Sequence, residues 1–214
     1  MAAATSPLRL AAAVLAAGEG RRLGGVCKAL IRVDGTPQVV RLWRLLAEAG
    51  VGRGVVVTGA HAPALNEAAA AMGVPVGWRL VHHPDHAAGQ PGSVRCALQA
   101  LLAPETPAWD AAVLLPCDLP LLTAPDLRAV VDVLDGGLVR PVYQGQPAHP
   151  VALTRAAAQA VLALGADADI RAYVQAQPQA LQRIQVSHDR GSFDMDTPED
   201  LAALRERTGW SVEV

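Results

Sequence analysis

Five mostly apolar runs of strand length recur in this chain: "LAAAVL" from Leu10 to Leu15, "GVVVT" from Gly54 to Thr58, "WRLVH" from Trp78 to His82, "AAVLLP" from Ala111 to Pro116 and "GLVRPVY" from Gly137 to Tyr143. A strand with one wet face alternates apolar and polar residues, whereas a continuous run has to be covered on both sides. Helical spacing fills the gaps. In "PQVVRLWRLLAEAG", Val39, Leu42, Trp43 and Leu46 fall on one face, with Pro37 suited to the first turn and Gly50 to the C-terminal cap. Further helices are expected at about Ala62 to Met72, Ser93 to Leu102, Ala124 to Leu134, Arg155 to Ala163, Asp169 to Ala176 and Pro198 to Arg207. Strands alternating with helices predict an α/β fold of three layers, Rossmann-like, with a mostly parallel sheet and helices on both faces. Ligands on such sheets bind at the carboxyl ends of the strands.

With 214 residues, 51% of them hydrophobic, the chain can bury one substantial core, and a single domain over 1–214 with a short tail at 1–8 is expected. A formal net charge of -2 argues against a general nucleic-acid binder, which needs a basic stripe to neutralise phosphates. Cys27, Cys96 and Cys117 are too scattered for a disulfide framework or a zinc knuckle, and reduced cytoplasmic thiols are the simpler reading. The apolar N-terminal stretch carries Pro7 and Arg9 and breaks at Gly18, short of the roughly 20 residues of a membrane span. A buried strand, with no membrane partner, is the expectation.

Behind the first run comes "LAAGEGRRLGGVCK", with Gly18, Gly20, Gly24 and Gly25 interleaved with Arg21, Arg22 and Lys28. Glycines let backbone N–H groups turn toward an anion, and the cations can pair with phosphate oxygens. Two common fingerprints fail. A P-loop needs lysine directly after its last glycine, but Lys28 follows Cys27; a dinucleotide loop needs a third glycine where Leu23 stands. A surface hairpin with solvated arginines is the bland alternative, and the position behind a strand favours a phosphate site.

This loop resembles that of the MobA-like nucleotidyltransferases, in which Leu-Ala-(Ala/Gly)-Gly leads to an Arg-Met-Gly segment and a lysine. The resemblance aligns Leu15, Ala16, Ala17, Gly18, Gly20, Gly24 and Gly25 with the nucleotide loop, Arg22 with the family arginine and Lys28 with the family lysine. Leu23 replaces methionine, and Cys27 stands where Asp is common. It implies a nucleotidyltransferase version of the fold and transfer of a nucleoside monophosphate from an NTP to a phosphorylated acceptor, with Mg²⁺ as cofactor.

Asp118 lies just past an apolar strand in "VLLPCDLPLL". A lone Asp there is more often a turn or cap residue, but the "(Gly/Cys)-Asp-x-Pro" element resembles the family's metal motif. In "SFDMDTPEDLAAL", Thr197, Pro198 and Asp200 read as a helix start, so Glu199 and Asp200 are explained by capping and the helix dipole. Asp194 and Asp196 precede the cap and share a face if extended. Two bare carboxylates there repel, so the site is expected to be loose or to bind cations. The resemblance makes Asp196, with Asp194 beside it, the metal or substrate contact. Gly92 and Ser93, in "HAAGQPGSVRCALQAL", fall in the loop that contacts the nucleobase in the family, or simply form a glycine turn and a serine cap. His149 and Pro150 resemble the Gly-His-Pro element, with Ala148 in place of glycine, on the acceptor side.

An acceptor phosphate is already ionised near neutral pH, its second pKa being about 6, so no general base is required. The sequence offers phosphate ligands and carboxylates and no Ser/His/Asp triad. Ala17 in "LAAG", the "HP" pair and "DMDTPEDL" look like the molybdopterin cytidylyltransferase branch, which favours CTP with molybdopterin as acceptor and transient contact with a molybdoenzyme or its chaperone. "RRLGGVCK" and "PCDLP" look more like the guanylyltransferase branch. A sugar phosphate acceptor and a non-catalytic nucleotide-binding protein are the remaining alternatives, and a dinucleotide-dependent oxidoreductase lacks both the glycine spacing and an acid after "VVVT".

Overall fold

The computed structural model describes residues 8–86, 89–165 and 169–214. Its main sheet follows the order β10-β7-β9-β6-β1-β4-β5, made of β1 (Leu10–Ala16), β4 (Gly54–Thr58), β5 (Trp78–His82), β6 (Ala111–Pro116), β7 (Leu138–Tyr143), β9 (Val151–Thr154) and β10 (Leu181–Gln185); β8 (Gln146–Pro147) pairs with β7. Along that path β9 is antiparallel to β6 and β7, and the remaining pairs are parallel.

The burial of β1 shows why its sequence has no polar stripe. Ala12, Val14 and Ala16 pack with Val56, Val113 and Leu115 against α1 (Gln38–Glu48), α2 (Ala62–Met72) and α4 (Ala124–Val131). Ala11, Ala13 and Leu15 pack with Val55, Val57 and Leu114 against α3 (Gln90–Leu102), α5 (Arg155–Ala163) and α6 (Ile170–Ala176). Alternate side chains of one strand therefore enter opposite cores. The result is the expected three-layer α/β arrangement.

A smaller sheet of β11 (Val212–Glu213), β2 (Arg32–Val33) and β3 (Thr36–Pro37) closes one side, followed in space by α7 (Pro198–Thr208). It has its own apolar cluster of Ile31, Val33, Leu121, Met195, Leu201, Leu204 and Val212, with Leu23, Val26, Phe193 and Trp210 against it. Arg41 stacks over the Trp210 ring, 4.4 Å from its centroid.

Several helix boundaries differ from expectation. Pro37 is the N-cap of α1 and belongs to β3, so it does not enter the first turn. The first turn of α3 begins at Gln90 with Gly89 as N-cap, so Gly92 and Ser93 lie inside the helix. Ser93 is buried and caps nothing. No helix among the described residues is long and apolar enough to cross a membrane.

Candidate active site

The order of the sheet locates the site. From β1 the chain builds outward through β4 and β5, then crosses back to place β6 on the other side of β1. The carboxyl ends of β1 and β6 thus border a topological switch point, where an open α/β sheet leaves a crevice. Leu15 pairs with Pro116, and Cys117 N–H donates to the Leu15 carbonyl at 3.0 Å. Gly18 and Asp118, each two residues past its strand, emerge side by side.

The glycine-rich loop then folds back over this edge through two 3-10 turns, Arg21–Leu23 and Lys28–Leu30. Gly20 has φ +63°, and a Cβ there would lie 2.1 Å from the Val26 carbonyl oxygen. Its own carbonyl accepts from Leu23 at 2.9 Å and from Gly25 at 3.0 Å. The loop therefore closes on itself at a position only glycine can occupy.

That closure aims the cations differently. Arg21 turns outward and pairs with Glu19. Arg22 reaches Asp196, and Lys28 Nζ donates to Asp118 Oδ2 at 2.7 Å and to Asp196 Oδ1. Burial alone would lower the Lys28 pKa, but the Asp118 and Asp196 carboxylates more than offset it and hold the ammonium above its ordinary value. Asp118 and Asp196 are thus joined by Lys28, and Asp196 also pairs with Arg22, both cations coming from a loop some 170 residues before Asp196. Of the two carboxylates expected to repel, Asp196 takes its cations from the protein, whereas Asp194 has no ion pair among the described residues.

The segment carrying Asp196 is fixed from both ends. Met195, fully buried in the small cluster, donates its N–H to the Asp118 carbonyl at 2.9 Å. On the other side Asp200 Oδ2 accepts from the backbone N–H groups of Asp196 at 3.1 Å and Thr197 at 2.7 Å. Thr197 and Asp200 form a reciprocal capping box on α7, as the sequence predicts. Asp194 lies near the same carboxylates: partial burial first, then the charges of Asp196 and Asp118, push its carboxyl above the usual range.

A cavity of about 270 Å³ opens over this constellation. Leu15, Ala16, Ala17, Gly18, Gly20, Arg22, Lys28, Ser93, Asp118 and Asp196 line it. Gly24 and Gly25 stand behind it as the left-handed residues that turn the loop, and Gly92 lies against the His83 ring, 2.6 Å from Nε2 to where a Cβ would sit. His149 and Pro150, joined by a cis peptide, lie away from it; His149 faces a neighbouring cavity instead. Arg21, from the cationic loop, and Gly89 also line the wall, and sequence reasoning missed His86 there. His86 follows the end of β5 by four residues, so the carboxyl-end rule could have found it. Cys27 does not restore the charge of an aspartate, because burial raises its thiol pKa.

The donor chemistry suits a hard cation. Asp118 and Asp196 already share one positive centre, the Lys28 ammonium. Among the described residues no group of three or more His, Cys, Asp or Glu side chains could hold a metal alone. Two carboxylates around one positive centre fit a divalent cation that completes its shell with water and phosphate oxygens.

The model of the MobA-like NTP transferase domain matches residues 12–182. The chain belongs to that family. It is 32% identical over 145 residues to the bifunctional protein GlmU of Maricaulis maris (strain MCS10), a match that covers 67% of this chain and 30% of that protein. The chain thus spans about a third of the length of the curated relative it matches. Among solved structures it resembles Rv0371c from Mycobacterium tuberculosis H37Rv at TM-score 0.73 and 23% identity, covering 94% of this chain and 100% of that one. A nucleotidyl transferase from Methanothermobacter thermautotroptrophicus (Mth528) gives TM-score 0.73 at 20% identity, with 93% and 97% covered. Rv0371c has also been solved in complex with manganese, and that structure matches at TM-score 0.70 and 22% identity, with 92% and 98% covered. The structural likenesses share the fold; the family match spans the glycine-rich loop and Asp118, and Asp194 and Asp196 lie beyond it.

Proposed function

We propose that the protein transfers a cytidylyl group from CTP to the phosphate of a small acceptor, molybdopterin being favoured, and releases pyrophosphate. The observation that carries this reading is the convergence of Lys28, Arg22, Asp118 and Asp196 at the switch point, under a glycine-rich loop whose cavity is open to a nucleotide. The choice of CTP and molybdopterin rests on "LAAG", "HP" and "DMDTPEDL", which look like the cytidylyltransferase branch.

In the reaction an acceptor phosphate oxygen attacks the α-phosphorus, a new P–O bond forms, and the bond to the β-phosphate breaks with its electron pair leaving on pyrophosphate. Arg22, Lys28 and the N–H groups of the loop stabilise negative charge that builds on the leaving phosphates. Asp118 with Asp196, or with Asp194, would hold Mg²⁺, which supplies charge neutralisation between nucleotide and acceptor. When the triphosphate enters, Lys28 exchanges its carboxylate partners for phosphate oxygens. Leu15 to Gly18 and Ser93 define the floor and wall against which the nucleoside is positioned.

The test is a thermal-shift panel of CTP, GTP, ATP and UTP with Mg²⁺, followed by pyrophosphate release with molybdopterin. Selective binding raises stability by about 2.7 kcal/mol at a ligand concentration of about one hundred times Kd. A shift confined to CTP, with acceptor-dependent pyrophosphate release, is expected. A shift with GTP alone overturns the base, and release driven only by a sugar phosphate overturns the acceptor.

A further inference from the structure

A second cavity, of about 230 Å³, adjoins the first and shares Leu15 with it. One side is apolar, with Leu114 and Val151; the other presents Arg140, His149 and Arg171. Arg140 projects from β7 and is partly buried. Its Nε donates to the Ala148 carbonyl at 3.1 Å, which fixes the guanidinium plane. It forms no ion pair with a carboxylate among the described residues. Asp169 is in the wall, but its Oδ1 is engaged by the Ala172 N–H at 2.9 Å as the cap of α6.

The surroundings intensify the positive potential. Burial first, then the neighbouring charges of Arg171 and Arg183, lower the pKa of Arg140. His149 adds no charge to this wall: burial and Arg140 push its pKa down to about 4. Its Nδ1 is buried without a hydrogen-bond partner among the described residues. A partly desolvated guanidinium that no carboxylate among the described residues pairs with is costly. An anionic ligand would relieve that cost with charge-assisted hydrogen bonds.

We propose that this cavity binds an anionic group, carboxylate or phosphate, carried by the acceptor away from its attacking phosphate, with Arg140 as the principal ligand and Arg171 beside it. The inference rests on the nucleotidyl-transfer reading, since the shared Leu15 wall lets one molecule reach from the reacting phosphate to Arg140. It makes the acceptor a molecule with two separated anionic centres, so a preference for either anionic tail would favour another small phosphorylated acceptor over molybdopterin while leaving nucleotidyl transfer in place. Phosphate monoesters with neutral tails are then poor acceptors.

The experiment uses three probes on one three-carbon chain: propyl phosphate, the same phosphate ending in a carboxylate, and the same phosphate ending in a second phosphate. Binding of each is measured by calorimetry to the wild type and to Arg140→Gln, with CTP and Mg²⁺ titrated separately. The wild type is expected to prefer at least one anionic tail by about tenfold or more, as a hydrogen-bonded charge pair gives. Arg140→Gln should erase that preference while binding propyl phosphate and CTP as before. A wild type that shows no tail preference, including one that binds none of the three at millimolar concentration, overturns the proposal, as does a preference that survives in the variant. Absence of CTP binding with the tail preference intact would instead strike the nucleotidyl-transfer reading and leave the anion pocket standing.

Discussion

Lys28 concentrates more of the site's electrostatics than any neighbour, because its single ammonium joins one carboxylate from the middle of the chain and one from its C-terminal part. Lys28→Ala removes both this bridge and a phosphate ligand, so turnover is expected to fall by about 10²–10³-fold, the scale of losing one transition-state donor. Near-normal turnover with an unchanged circular dichroism spectrum would sink the assignment. Gly20 is the other residue on which the loop depends. In Gly20→Ala the methyl group meets the Val26 carbonyl and the positive φ is strained, so nucleotide affinity should weaken while the far side of the sheet keeps its hydrogen-exchange protection. Arg22, Lys28 and Asp118 were legible from their motifs. Arg140 was not, because it stands out only by having no ion pair among the described residues, and spacing along a sequence carries no information about pairing in space.

At the scale of elements, the long signals read well and the short ones did not. The apolar runs 54–58, 78–82 and 111–116 coincide with β4, β5 and β6, and the helix expected at Arg155 to Ala163 is α5. Continuous apolarity reports burial on two faces, which β4 and β6 have, whereas β5, at the sheet edge, is mostly only partly buried. β10 lies at the sheet edge with exposed Gln182, Arg183 and Gln185, so its composition hides it. β2, β3 and β11 have two residues each, fewer than one period of any pattern. The start of α7 was readable as a cap, but its consequence for the site was not: the same Asp200 carboxylate that caps the helix also holds the Asp196 backbone. Thr197→Ala should therefore cost about 1 kcal/mol of stability and also raise the Mg²⁺ concentration needed for half-maximal activity. Chemical denaturation and a Mg²⁺ titration measure the two effects; a stability loss with an unchanged Mg²⁺ requirement would separate the cap from the site.

For the molecule as a whole, His149 sets an acid limit on stability. Its folded pKa of about 4 lies below the roughly 6.5 of an unfolded histidine, so the unfolded chain binds a proton in this interval that the folded chain does not. Stability is therefore fully present above pH about 6.5 and falls as pH drops toward 4, by about 3 kcal/mol over the interval. Asp126 acts in a different window. Burial would raise its pKa, but Arg190 at 2.7 and 2.8 Å and Thr123 hold it below the usual carboxylate range, so its contribution is lost only below about pH 4. Urea melts of wild type and His149→Asn between pH 7 and pH 4.5 distinguish them: the variant should lose less stability on acidification, and parallel losses would remove His149 from the account.

The bridge from Lys28 to Asp196 spans 168 residues of sequence. During synthesis, β1, its loop and β6 can take shape long before the segment 194–196 leaves the ribosome, and Lys28 then has only Asp118 to meet. The Lys28–Asp196 bridge can therefore form only after every strand of the main sheet has been synthesised.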